Sequence, residues 1–195
     1  MNPSSMDIVI AGVGGQGTVL ASRVLAQAAL EAGLSAKTSE TIGMAQREGT
    51  VQSHVRIGKD DFGPVIGTGQ ADVLLAFEPA EAVRALGLLK PGGLLMVNDY
   101  PIRPVTVTLG TSAYQTEAIL DYLKNTPFQL KVVRAFDTAI AAGSFKAVNT
   151  VMLGALAATG RLPFSRSAVL KVLLELVPAK AREINERGFE LGAKL

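Results

Sequence analysis

Apolar runs and amphipathic stretches alternate along this chain, and its first forty residues set the rhythm. Residues 6–11 form a short, mostly apolar run, followed by Gly12-Val13-Gly14-Gly15-Gln16-Gly17. Beyond the glycines, apolar residues recur at Leu20, Val24, Leu25, Ala28 and Ala29, the spacing of one helix face. The pattern predicts strand, glycine turn and helix, with Gly33 at the helix C-terminus and a short second strand over 36–39.

Residues 50–57 alternate, with Val51, Ser53, Val55 and Ile57 on one face and Gln52, His54 and Arg56 on the other. That spacing predicts a strand with one wetter side. Residues 58–69 read as a turn-rich excursion. Residues 72–77 resemble a strand buried on both faces of a parallel sheet, and Glu78-Pro79 opens a helix expected to run to about Leu89. Lys90-Pro91-Gly92-Gly93 then launches a strand over 94–97, closed by Asn98 and Asp99. Two more strands are expected over 105–109 and 130–136, around a helix at 116–124, and the chain is helical from 138 onward. With no internal repeat and no linker, the expectation is one domain over 1–195. Its class is α/β: a three-layer α/β/α Rossmann-like domain with a mainly parallel sheet and a helical C-terminal part.

Composition narrows the chemistry. The chain has 195 residues, enough for one well-filled core. Its 19 basic residues are scattered and the net charge is +2, so no nucleic acid partner is expected. There is no cysteine, which excludes thiolate metal sites and iron–sulfur clusters held by this chain itself. His54 is the only histidine, too few for a zinc or non-haem iron cluster, and no metal site is expected. No apolar run approaches the roughly 20 residues that span a bilayer, and residues 1–5 lack the basic start of a signal peptide. The expectation is a soluble, cytoplasmic protein without membrane contact. Hydrophobic residues make up 48% and charged residues 18%, against about 25% charged in ordinary soluble proteins. Either a covered partner surface or a compact alanine- and glycine-rich core accounts for that shortage.

The spacing Gly12-x-Gly14-x-x-Gly17, after a strand and opening a helix, suits a phosphate. Gly12 permits the turn, Gly14 lets an anion approach the backbone, and Gly17 allows close helix packing. Gly15 and Gln16 lie between them, and Thr18 stands at the helix start as a hydroxyl donor beside the helix N-terminus. Gly12, Gly14, Gly15, Gln16, Gly17 and Thr18 are therefore the candidate cofactor-binding residues. A nicotinamide cofactor also asks for an acidic residue about 20 positions on, where this chain has Lys37, with Glu40 slightly late. The same glycines equally well shape a tight crossover at a subunit contact.

Residues 40–49 read as a loop between strands, flanked by glycines, and its Arg47, with Arg56 or His54 behind it, suits a phosphate or carboxylate. His54 has no sequence partner for a triad and receives no catalytic role, and no catalytic residue is assigned. The marks of P-loop hydrolases, nucleophile-elbow esterases and zincins are absent.

Four separated segments carry a family resemblance: Gly12 to Gly17, Gly43-Met44-Ala45-Gln46-Arg47, Ser53-His54-Val55-Arg56, and the run Ala71-Asp72-Val73-Leu74-Leu75-Ala76-Phe77-Glu78-Pro79. Together the chain resembles the gamma-type subunit of 2-oxoacid:ferredoxin oxidoreductases, and within them it is most similar to the beta subunit of the indolepyruvate enzyme. Asn149-Thr150, Leu153-Gly154-Ala155-Leu156, Asn185, Phe189 and Gly192 extend the likeness almost to the C-terminus, while Glu48 departs from a common glycine. The resemblance implies coenzyme A-dependent oxidative decarboxylation of an aryl-2-oxoacid such as indolepyruvate, with reduction of ferredoxin. It further implies that this chain binds no cofactor alone. Thiamine diphosphate, magnesium and Fe–S clusters then reside on a larger partner subunit, in a hetero-oligomer through which ferredoxin is reached, with a homodimer possible in isolation. Gly43, Met44, Gln46, Arg47 and Arg56 are the residues expected to face that partner or coenzyme A. Subunits acting on 2-oxoglutarate, pyruvate or branched-chain oxoacids are the alternative within the family. A stand-alone dinucleotide-binding module is the alternative outside it.

Overall fold

Residues Met6–Val13 make the central strand β1 because both of its faces can be buried: Ile8 and Ile10 point into one apolar layer, Val9 and Ala11 into another. The computed structural model describes residues 5–43, 49–58, 61–111 and 113–195. Around β1 lie β2 (Ala36–Ile42), β3 (Thr50–Ile57), β4 (Ala71–Ala76), β5 (Leu89–Asn98) and β6 (Gln129–Val133). They form a 6-stranded sheet in the order β2-β3-β1-β4-β5-β6. β1, β4, β5 and β6 are parallel neighbours, and β3 runs antiparallel to both β1 and β2.

Helices cover the two faces unequally. On one side α1 (Thr18–Glu31), α5 (Ala135–Ala142), α6 (Val148–Ala157), α7 (Arg166–Leu176) and α8 (Arg182–Gly192) share a core with Ile8, Ile10, Val73, Leu75 and Met96. On the other, α2 (Pro79–Ala85) and α4 (Thr116–Lys124) pack on Val9, Leu74, Leu95 and Val97. The short α3 (Val105–Thr108) lies between β5 and α4 in the chain. β1 and β4 are parallel neighbours whose following helices, α1 and α2, go to opposite faces. A crevice therefore opens at the carboxyl ends of these strands.

Several sequence expectations need correction. Residues 105–108 are helical, although valine and threonine favour strands. Local bonds prevail there: Val107 N–H donates to the Pro104 carbonyl at 2.9 Å, and Gly110, at φ 74°, donates to Val107 at 3.0 Å. The expected strand over 130–136 ends at Val133, because Ala135 N–H donates to Asn98 Oδ1 at 3.2 Å and starts α5 instead. The α-helical part of α2 stops at Ala85 and a 3₁₀ turn carries the helical stretch to Leu88, close to the expected end, while Leu89 already pairs with Ala71 before the ladder resumes at Leu94. Gly12 and Val13 are the last rungs of β1, not part of the turn. β2 runs on to Ile42, so Glu40, at the expected loop start, is a strand residue accepting a bond from Ser22 Oγ at 3.2 Å.

The wetter face of β3 is also overturned: His54 and Arg56 are buried. The excursion before β4 folds over them, with Ile66 N–H donating to His54 Nδ1 at 3.2 Å and Arg56 donating to the Gly63 carbonyl at 2.9 Å. No helix of the described residues is long and apolar enough to cross a membrane.

Candidate functional site at the carboxyl edge of the sheet

The glycine turn is held by side-chain amides. Val13 N–H donates to Gln16 Oε1 at 2.8 Å, and Gln16 Nε2 donates to the Phe77 carbonyl at 2.9 Å. Asn98 Nδ2 reaches the same carbonyl at 3.1 Å, while its Oδ1 accepts from Ala135. Gln16 and Asn98 thus tie together the ends of β1, β4 and β5 and the start of α5.

Each glycine of the turn has a separate reason. A Cβ on Gly12 would meet Gln16 Oε1 at 2.8 Å and Thr18 Cγ2 at 3.0 Å. Gly17 caps α1 at φ 78°, and a Cβ there would lie 2.3 Å from Asn149 Nδ2 of α6. Gly14 spends its N–H on the Gly49 carbonyl at 2.9 Å, so that donor does not await an anion. Gly15, at φ 93°, is exposed and unobstructed. Thr18 is buried as the first residue of α1, which has neither a side-chain cap nor an acidic residue in its first turn. The positive end of that helix dipole is left open.

Beside this turn lies a cleft of about 370 Å³, lined among others by Gly14, Gly17, Tyr100, Phe136, Phe145 and Lys146. The Tyr100 and Phe136 rings stack at 3.8 Å and 8°, and Phe145 is 57% exposed. Such a site combines flat apolar walls with a helix N-terminus and an ammonium group. That combination suits a ligand carrying both an aromatic base and phosphates.

A second cleft of about 380 Å³ lies between the end of β1 and α2 and shares Ile102 with the first. It holds two buried carboxylates. Glu78 caps α2, accepting from Glu81 N–H at 3.0 Å, with Pro79 following it. Tyr114 donates its hydroxyl to Glu78 and accepts from Ala80 N–H at 3.2 Å. Burial first, then the bond to Glu78, pushes the Tyr114 hydroxyl far above its ordinary range. Burial likewise pushes the Glu81 carboxyl up, against the pull of Arg84 and Thr50.

The predicted site residues divide accordingly. Gly14, Gly15, Gln16 and Gly17 form the turn, with Gly12 near the end of β1 before it and Thr18 at the start of α1 after it. Gly43 and Gly49 line the second cleft, Gly43 N–H donating to Thr50 at 2.7 Å. Met44, Gln46 and Arg47 lie outside the described residues. Arg56 is not brought to the turn: it pairs with Asp7 at 3.0 Å, near the opposite end of β1. Burial of the imidazole first, and then the charge of Arg56, push His54 below the ordinary histidine range. Tyr100, Phe136, Phe145, Lys146, Glu81 and Tyr114 escaped the sequence reading. Only Glu78 followed by Glu81 carries a local signal, that of a capped helix start; the others meet across long stretches of chain.

Comparisons with known proteins bear on the family and the fold. Over residues 7–195 the chain matches the family described as pyruvate ferredoxin/flavodoxin oxidoreductase. It is similar to the indolepyruvate oxidoreductase subunit IorB of Thermococcus kodakarensis, at 42% identity over 191 residues, covering 96% of this chain and 94% of the relative. The crystal structure of a keto/oxoacid ferredoxin oxidoreductase gamma subunit from Geobacter sulfurreducens superposes with a TM-score of 0.72 at 30% identity, covering 97% of this chain and 96% of that one. The 2-oxoglutarate:ferredoxin oxidoreductase of Magnetococcus marinus, solved with 2-oxoglutarate, coenzyme A and succinyl-CoA bound, shares the fold at a TM-score of 0.73 and 23% identity. That match covers 99% of this chain and 30% of the larger one.

Proposed function

Because the chain belongs to the pyruvate ferredoxin/flavodoxin oxidoreductase family, we propose that it is the small subunit of an indolepyruvate-type 2-oxoacid:ferredoxin oxidoreductase and holds coenzyme A in the aromatic cleft. The enzyme converts an aryl-2-oxoacid and coenzyme A to the acyl-CoA, carbon dioxide and a proton, and ferredoxin takes the two electrons released. The observation that carries the coenzyme A assignment is the meeting of stacked Tyr100 and Phe136, exposed Phe145 and Lys146 with the open N-terminus of α1. Aromatic faces suit the adenine, while Lys146 and the helix start suit the phosphates. Anchoring the ligand at this edge would orient its thiol toward a reacting centre on the partner.

The remaining cofactors are assigned to that partner. The chain has no cysteine to ligate an iron–sulfur cluster. Among the described residues no three His, Asp or Glu side chains cluster as a metal site would require. Thiamine diphosphate with magnesium, when bound to the partner, supplies the carbanion stabilisation that decarboxylation needs. The larger polypeptide of the Magnetococcus marinus enzyme supports a larger partner. A cytoplasmic setting fits a reaction coupled to ferredoxin.

The test has a binding part and a turnover part. Coenzyme A should bind the purified chain calorimetrically, and Lys146→Ala and Phe136→Ala should each weaken binding by about tenfold, the equivalent of roughly 1.4 kcal/mol. In the complex with its partner, both should raise the coenzyme A KM in arylpyruvate-dependent dye reduction. Unchanged binding in both variants refutes the placement. Preference for NAD over coenzyme A would favour a dinucleotide module, and preference for another 2-oxoacid would reassign the substrate.

A further inference from the structure

The second cleft contains a charge imbalance for which coenzyme A binding has no use. Glu78 and Glu81 are each 1% exposed, and among the described residues they meet one guanidinium between them, that of Arg84. Glu78 is complete: Tyr114 donates to its Oε1 and Glu81 N–H to its Oε2. Glu81 is not. Arg84 and Thr50 both donate to Oε1, the latter at 3.3 Å, whereas the buried Oε2 has no hydrogen-bond partner among the described residues.

A buried carboxylate oxygen without a donor is costly, and a surplus negative charge beside it compounds the cost. With both carboxyls ionised, the two negative charges face one guanidinium, that of Arg84. The cleft in front of it, about 380 Å³, has room for a side-chain-sized group, with Val13, Ile102 and Pro104 as apolar walls. We propose that this cleft is a cation-acceptor site, in which Glu81 Oε2 receives a guanidinium or alkylammonium group from a small ligand or from a basic side chain of the partner subunit. Both sources share one chemistry, a charged N–H donor that completes Glu81 and neutralises the cluster. The two clefts adjoin at Ile102, but Glu81 lines only this one, and the site does not rest on the coenzyme A assignment.

Methylguanidinium is the probe, and the carboxyl carbon resonance of Glu81 in the 13C-labelled full chain is the readout. The expected result is a saturable shift in the millimolar range, about −4 kcal/mol of binding. Glu81→Gln should weaken binding of the probe at least about tenfold, followed by its effect on the Thr50 and Arg84 resonances. Methylurea, the same shape without the charge, should leave Glu81 unmoved, a control that stands even if the variant folds poorly. Association with the partner subunit then separates the sources. A Glu81→Gln chain that binds the partner about tenfold more weakly assigns the cation to the partner. Unchanged association, with probe binding retained in the complex, assigns it to a small ligand. No saturable shift, or an equal response to methylurea, overturns the proposal. Loss of oxidoreductase activity in the complex would bear on the proposed function alone.

Discussion

Gly17 shows how much one absent methyl group decides. Its φ of 78° disfavours any other residue, and the amide of Asn149 occupies the place where a Cβ would stand. Gly17→Ala should therefore destabilise the fold by about 2 kcal/mol, and Asn149→Ala in the same chain should recover only the steric part. Urea midpoints of the two single variants and the double variant measure this. Two buried titratable groups set opposite pH dependences. The Glu81 carboxyl lies above its unfolded value of 4.5, so its contribution to stability is greatest below 4.5 and is lost as pH rises through the folded value. His54 lies below its unfolded 6.5, so its contribution is complete above 6.5 and declines as pH falls toward the folded value. Protonation would also remove the acceptor for Ile66 N–H. Glu81→Gln should thus gain on the wild type as pH rises through the first window, and His54→Gln as pH falls through the second, in unfolding midpoints taken from about pH 4 to 8.

Among the elements, the crossing of α6 and α8 is the most tightly specified. A Cβ on Gly154 would come within 2.1 Å of the Phe189 carbonyl oxygen, and one on Gly192 within 2.1 Å of that of Val151. The helices thus touch backbone to backbone, with Thr150 Oγ1 donating to Asn185 Oδ1 at 2.5 Å beside them. On an isolated helix, Gly154→Ala would stabilise by about 1 kcal/mol. Here the sign reverses, and the substitution should cost about 3 kcal/mol because the helices must separate. Thermal unfolding of Gly154→Ala reads that sign. The spacing of these glycines was visible in the sequence as part of a family pattern, but their partners were not. Strand β1, the glycine turn and α1 were legible because apolar period, glycine placement and helix start agree locally. Residues 105–108 were misread for the converse reason: their β-branched side chains suggest a strand, yet β5 and β6 pair directly and leave no place between them.

At the scale of the whole molecule, the two ends of the sheet do different work. The carboxyl edge carries both clefts. The opposite edge is closed by the buried Arg56–Asp7 pair, which Gly63 and Gln70 complete. Breaking the pair by Asp7→Asn should cost about 3 kcal/mol, since it removes the carboxylate that the buried Arg56 guanidinium pairs with. Coenzyme A affinity of the folded variant should stay unchanged, because Asp7 and Val13 are separated by six strand steps, about 20 Å. Denaturant titration and calorimetry on the same variant check both statements.

The amino-acid sequence by itself determined the α/β class, the order of most elements and the glycine turn, and it excluded an iron–sulfur cluster held by thiolates of this chain. Those features depend on interactions within a few residues or on composition, so they can be read without knowing what lies across the sheet. Tertiary structure decided the burial of His54 and Arg56, the stacking of Tyr100 on Phe136 and the hydrogen bond from Tyr114 to Glu78. Each joins segments 7 to 36 positions or more apart, and which segments meet follows from the strand order and from the face each connection covers. That choice belongs to the burial free energy of the whole chain, which no local pattern records.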